Sequence, residues 1–368
     1  MITIKKDFPL TSSYPLDRLG DPKQLLFFDI ETTGFSALSC TVYLIGCLFK
    51  AEGGFSMIQW FAETRADEKK VIEAFFSFLS DFQTLVHFNG DMFDIPFLKQ
   101  RAKALRIPAP FEALESVDIY RKIKPFKQHL KLENLKQKTI ERFLSIDRED
   151  LYSGGDLIPV YQEYGKTRDK DLLHLLLLHN EDDLKGMPSL LPILFYPDFF
   201  TQDFALESVE QTGGETSRVV LTLRGQADTV LPVPVSGSVP SYALRADKDT
   251  LALSLRLYQG TLKYYYPNYK DYYYLIYEDT AIHKSVGEYV DKDAKVRATK
   301  ETCYTKKQGL FLPQPSAVWT PDFKNSCRDK NGFFEFSPDC FSDHESLNAY
   351  AHQVIKAVFG ANSKKREG

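Results

Sequence analysis

The chain has 368 residues, more than one ordinary hydrophobic core accommodates, and reads as about two domains. Its 46 basic against 50 acidic residues give a net charge of −4, which excludes general coating of nucleic acid by positive charge; any polyanion has to be held locally. Five cysteines without a C-x-x-C pair argue against a disulfide scaffold or a zinc ribbon, MITIKKDFPL carries no signal-like apolar stretch, and no window approaches the roughly 20 apolar residues of a membrane span, so a cytoplasmic protein without membrane association is expected.

Residues 1–24 read as an N-terminal extension. From residue 25 the pattern is strand-like: LLFFDIETTG, TVYLIGCLFK (41–50) and GFSMIQWFAE (54–63), joined by short turns, predict an antiparallel meander. ADEKKVIEAFFSFLSDF (66–82) has apolar positions at helical spacing and predicts a crossover helix. TLVHFNG (84–90) is a short strand ending in Asn-Gly, and FDIPFLKQRAKAL (93–105) a second helix with Pro96 in its first turn. Next come SVDIY as a fifth strand, HLKLENLKQKTIERF as a helix and SGGDLIPVYQEYG as a loop. DKDLLHLLLLHNEDDLKGM (169–187) predicts a helix stopped by Pro188 and buried nearly all round by six leucines.

A linker is expected over 197–216, followed by a β-rich domain over 217–362 and a disordered tail, SKKREG, over 363–368. TLALSLRLYQGTLKYYY (250–266) alternates leucines and reads as a hairpin turning at Gln259-Gly260. Nine of the 20 tyrosines lie between Tyr258 and Tyr277. They fit one packed face of a sheet better than a stacking surface for bases, the latter reading adding Lys292, Lys295, Arg297, Lys300, Lys306 and Lys307 as phosphate contacts. His283 and Lys284 receive no role.

Asp29 and Glu31 lie two apart in a strand and therefore share a face. Two carboxylates that close cannot both ionise in a dry site unless a proton or a cation offsets the repulsion, whereas a solvated strand end tolerates them. Asp94 serves equally as a helix cap or as a ligand where a strand meets a helix N-terminus. On the leucine-rich helix, His179 and Asp183 are about 400° apart and so share a face within about 40°. His174 falls on the opposite side, and Asp182 is offset by one residue.

The ordered series D-x-E-T-T-G, N-x-x-x-F-D and H-N-x-x-D resembles the three exonuclease motifs of the DEDD superfamily, which has the RNase H-like fold. FFDIETTG, LVHFNGDMFDIPFLKQR, SGGDLIPVYQEY and HNEDDL are similar to the YprB-like branch of predicted 3′-to-5′ exonucleases, over about residues 25–190. The resemblance implies an α/β domain over 25–196, an RNase H-like mixed sheet with flanking helices, followed by the smaller β-rich domain. It assigns Asp29, Glu31, Asp94 and Asp183 to two divalent cations, Mg²⁺ or Mn²⁺, and places Thr32, Asn89 and Phe93 near the terminal nucleotide. His179 stands at the spacing where one branch carries tyrosine, while the histidine branch has one residue more before its aspartate; it is the candidate to orient or deprotonate the attacking water. The implied activity is hydrolysis of DNA or RNA from a single-stranded 3′ end. A structure-specific endonuclease and a nucleic-acid-binding protein with a vestigial nuclease domain are the alternatives.

Overall fold

The computed structural model describes residues 1–146, 154–213 and 217–360, and the chain divides into two compact units, Met1–Pro197 and Asp198–Gly368. SKKREG lies outside the described residues.

In the first unit, β1 (Ile2–Phe8), β2 (Leu25–Thr32), β3 (Val42–Ala51), β4 (Gly54–Phe61), β5 (Thr84–His87) and β6 (Glu115–Asp118) form one mixed sheet in the order β1-β4-β3-β2-β5-β6. The meander β2-β3-β4 is antiparallel as the alternation predicts, and β5 and β6 run parallel to β2. Residues 2–8 correct the reading of an N-terminal extension, because β1 pairs with β4 along its whole length. Its lysines and aspartate sit on an edge strand, where charge is ordinary, and they hide the strand pattern.

Helices α1 (Glu68–Leu79) and α2 (Asp94–Leu105) bury Val71, Ile72, Phe75, Phe97 and Leu98 in the core with Phe28, Tyr43 and Trp60. The short helices α3 (Ile119–Ile123) and α4 (Gln137–Phe143) follow; residues 129–136, expected as part of a longer helix, form turns and irregular chain instead. SGGDLIPVYQEYG was expected as a loop, yet Gly154–Thr167 is a helix, α5. Leu157, Tyr161 and Tyr164 supply its inner face, with Tyr161 stacked on Tyr43 at 4.2 Å. The opening glycines and Pro159 obscured that periodicity.

The leucine-rich helix, α6 (Lys170–Leu190), passes through Pro188 instead of stopping before it. A proline this near the C-terminus removes one hydrogen bond, and Ser12 Oγ donates to the Pro188 carbonyl at 3.0 Å. Of the six leucines only Leu176 is fully buried; the others are half-buried. Residues 197–216 are not a featureless linker, since α7 (Phe195–Thr201) and β7 (Phe204–Thr212) occupy most of them.

In the second unit, β7 joins β8 (Arg218–Gly225), β9 (Val235–Val239), β10 (Tyr242–Asp247) and β11 (Thr250–Arg256) in an antiparallel sheet ordered β7-β8-β11-β10-β9. The expected hairpin over 250–266 does not form: β11 pairs with β8 and β10, whereas β12 (Tyr258–Tyr265) leaves that sheet and pairs with β16. Between them lie β13 (Tyr272–Leu275), β14 (Thr280–His283), the single turn α8 (Lys284–Gly287) and β15 (Lys295–Arg297), which make a three-stranded sheet ordered β14-β13-β15. β16 (Tyr304–Gln314), β17 (Phe323–Lys324) and β18 (Gly332–Glu335) close a small barrel with β12, and α9 (His344–Gly360) ends the described chain. The clustered tyrosines pack on one another, as in Tyr266 on Tyr272 at 4.6 Å, while Tyr277 is exposed. No cysteine is disulfide-bonded, and no helix among the described residues is long and apolar enough to cross a membrane.

Candidate active site

One cavity of about 560 Å³ in the first unit is lined by Asp29, Glu31, Thr32, Asn89, Phe93, Asp94, His179 and Asp183, so all eight residues singled out in the sequence meet there. Four elements deliver them: the end of β2, the turn after β5, the start of α2 and the last turns of α6. Glu31, Asp94 and His179 are 6 %, 6 % and 4 % exposed. His179 Nε2 lies 3.5 Å from both Glu31 Oε1 and Asp183 Oδ2, and these three side chains form a compact group able to hold a cation. His174 is exposed on the far side of α6, and Asp182 pairs with Lys185 at 3.1 Å, away from the group.

Asp94 is the first residue of α2, not its cap; its Oδ1 accepts the Ile30 N–H at 3.3 Å, so the carboxylate reaches across to β2. Burial first, then the charges of Asp118 and Asp183, push its pKa up to about 7 against the pull of its backbone hydrogen bonds. Burial, followed by the charges of Glu31, Asp183 and Asp94, holds Asp29 well above the usual carboxylate range. Among the described residues the basic side chain that lines the cavity with these acids is His179. Their oxygen-only donor set fits a hard divalent cation.

The support beneath Asp29 was not singled out in the sequence. Asp29, Gly46 and Gln59 are cross-strand neighbours in one row over β2, β3 and β4. Gly46 leaves a gap that Asn180 of α6 fills: a Cβ there would lie 2.0 Å from Asn180 Oδ1 and 2.6 Å from Leu184 Cδ1. Asn180 Nδ2 donates to Asp29 Oδ2 at 2.8 Å, while its Oδ1 accepts from Gln59 Nε2 at 2.9 Å. Gln59 also donates to the Leu177 carbonyl at 3.0 Å, which locks the amide orientation. The available signals were a glutamine inside the apolar run GFSMIQWF and a glycine inside TVYLIGCLFK.

Two further networks fix the walls. Arg101 donates to both Glu68 oxygens at 2.8 and 2.7 Å and to the Ala37 carbonyl at 3.1 Å, tying α1, α2 and the loop after β2 together. Asp118 accepts the N–H groups of Asn89 at 2.9 Å, Asp91 at 3.3 Å and Arg121 at 3.2 Å, so one carboxylate holds the turn carrying Asn89 and starts α3. Asn89 is left-handed at φ 65°, a conformation asparagine tolerates. His87 sits below this turn; burial lowers its pKa, and the neutral ring accepts the Gly90 N–H at Nδ1 and meets Ser116 Oγ through Nε2. His87, Asp91 and Asp118 also cluster as a cation group would, but their polar atoms are engaged in holding the turn.

The basic residues considered for phosphate binding in the second unit are partly neutralised. Lys306 pairs with Asp279, Lys307 with Glu335 at 2.5 Å, and Lys295 donates to the Gly287 carbonyl. His283 accepts the Ser285 N–H and starts α8.

The order of the mixed sheet, its crossover helix and the acidic cavity at the strand ends define an RNase H-like domain. Residues 26–194 match the family model RNase_H_2, described as RNase_H superfamily. The chain is 31% identical over 184 residues to the uncharacterized protein YprB of Bacillus subtilis (strain 168), an alignment covering 48% of this chain and 44% of YprB. The match thus spans under half the length of that relative. Among solved structures, a family B DNA polymerase from the hyperthermophilic archaeon Pyrobaculum calidifontis aligns with a TM-score of 0.36 and 15% identity, over 65% of this chain and 33% of the polymerase.

Proposed function

We propose that the protein is a metal-dependent 3′-to-5′ exonuclease that hydrolyses DNA or RNA, with Asp29, Glu31, Asp94 and Asp183 holding two divalent cations, Mg²⁺ or Mn²⁺. The observation that carries this reading is the convergence of four carboxylates on one cavity, two of them with raised proton affinity. Bound cations would offset that repulsion, lower the pKa of water and stabilise the charge that develops on the phosphodiester oxygens. Asn180, backed by Gln59, holds the Asp29 carboxylate in one orientation. His179 Nε2 faces Glu31 and Asp183 and would take the proton of the attacking water. Asn89 and Phe93, fixed by the Asp118-held turn, would receive the terminal nucleotide.

The test is digestion of end-labelled single-stranded DNA and RNA with Mg²⁺ or Mn²⁺. Chelation and Asp29→Asn should each stop it, and a 3′-terminal phosphate or inverted nucleotide should block it while a 5′ block does not. Cleavage of a circular single strand would replace this reading with an endonuclease.

A further inference from the structure

Residues 121–138, RKIKPFKQHLKLENLKQK, contain seven basic residues and one acid. This stretch carries +6 in a chain of −4, leaving −10 on the remainder. It begins inside α3 and ends inside α4. Ile123, Leu130 and Leu135 are buried and anchor it, whereas Lys122, Lys124, Lys131 and Lys136 are exposed and Lys127 is half-buried. Among the described residues, none of these five lysines has an ion-pair partner; Lys124 lies 5.9 Å over the Tyr120 ring.

Both ends of the stretch are tied to the cavity. At the start, Arg121 pairs with Asp91 at 3.3 Å, and Tyr120 packs against Phe88, a lining residue, at 6.0 Å. At the end, Gln137 Nε2 donates to the main-chain carbonyl of Asp183 at 3.1 Å. The lysines therefore flank the acidic cavity while staying out of it. Unpaired like charges repel one another, and a phosphodiester backbone is the polyanion whose successive charges suit a run of cations and whose scissile group the neighbouring carboxylates and cations would process.

We propose that residues 121–138 form the track for the strand upstream of the terminal nucleotide, so that the substrate is a polynucleotide several residues long and not a mono- or dinucleotide. This rests on the nuclease reading for what happens at the cavity, though not for the binding itself. The attraction needed by an acidic active site is then supplied beside it, where no lysine competes with cations for the carboxylates.

The test uses the full-length chain with K122Q/K124Q/K131Q and, separately, K127Q/K136Q. Binding of fluorescein-labelled oligo(dT) of 4 to 20 nucleotides is measured in chelator from 50 to 200 mM salt. Each neutralised contact should reduce the magnitude of the slope of log affinity against log salt by about 0.7, or about 2 for the triple variant, so that its affinity falls roughly 20-fold less than wild type's over this range. The gain in affinity with length should flatten in both variants. Unchanged slopes and length dependence in both variants overturn the track. Weakened binding of poly-L-glutamate with oligo(dT) unaffected also overturns it, pointing to an acidic protein partner. A reduced slope in a protein that hydrolyses no oligonucleotide sustains the track while removing the exonuclease reading, so the two fail separately.

Discussion

Replacing Asp94 by Asn should make the metal-free protein more stable, by an amount that depends on pH. In the folded chain its pKa is about 7, against an ordinary aspartate value of 3.8. A difference of about three units corresponds to about 4 kcal/mol between protonation states. The sign follows from linkage: between pH 4 and 7 the folded state binds more protons here than the unfolded state, so stability falls as pH rises through that window. Asn cannot ionise, and its Oδ1 can still accept the Ile30 N–H that Asp94 accepts now. At pH 8 in chelator the first unit should therefore gain on the order of 4 kcal/mol at most, about 8–16 °C in melting temperature for a unit of this size, and nothing near pH 4. Added Mn²⁺ should reverse the ranking, stabilising wild type more than the variant. Differential scanning calorimetry at pH 4, 6 and 8, with and without Mn²⁺, checks this. A variant that melts at or below wild type at pH 8 in chelator would refute the uncompensated burial of Asp94.

Asn180→Ala removes the donor to Asp29 and should cost roughly 10- to 100-fold in activity or metal affinity, read from Mn²⁺ titration of hydrolysis. Gly46→Ala places a methyl against Asn180 and Leu184 and should destabilise by about 1–3 kcal/mol in urea titration, with activity falling as Asn180 is displaced. His179→Ala should lose about 10² to 10⁴ in rate if the imidazole takes the proton of water, while His179→Tyr keeps a hydrogen-bonding group at that position and retains more; equal rates and equal pH profiles for all three proteins would leave His179 as packing only.

The central sheet was legible wherever periodicity was strong and the strand was covered. FFDIET, YLIGCLF and SMIQWF read as strands because nearly every position in them is buried, and α1 because its apolar stripe is continuous. The failures share a cause, which is that local pattern is weak where a partner far along the chain decides the outcome. β1 is a charged edge strand that exists through its pairing with β4. β11 and β12 look like a hairpin, yet each finds better-matched partners elsewhere, β8 and β10 for one and β16 for the other. In α5 the apolar stripe was present, but two glycines and a proline spoke locally for a loop.

The site divides in the same way. The acids that face the cavity sit in motifs whose order along the chain carries information, so they could be gathered before any fold was known. Gly46 and Gln59 carry none until β2, β3 and β4 are in register, and Asn180 none until α6 lies over them, because the relation is lateral: Asp29, Gly46 and Gln59 stand abreast under one helix. The basic run of 121–138 was hidden by averaging, since +6 in 18 residues vanishes in a total of −4. Structure also separates cations that are free to act from those already engaged. In the second unit Lys306 and Lys307 are held by Asp279 and Glu335, whereas Lys122, Lys124, Lys127, Lys131 and Lys136 have no ion-pair partner among the described residues. Net charge and residue counts rank these two regions together, but lysines without an acid partner are the ones free to neutralise phosphates and so release the cations condensed on a phosphate backbone, the term that drives such binding.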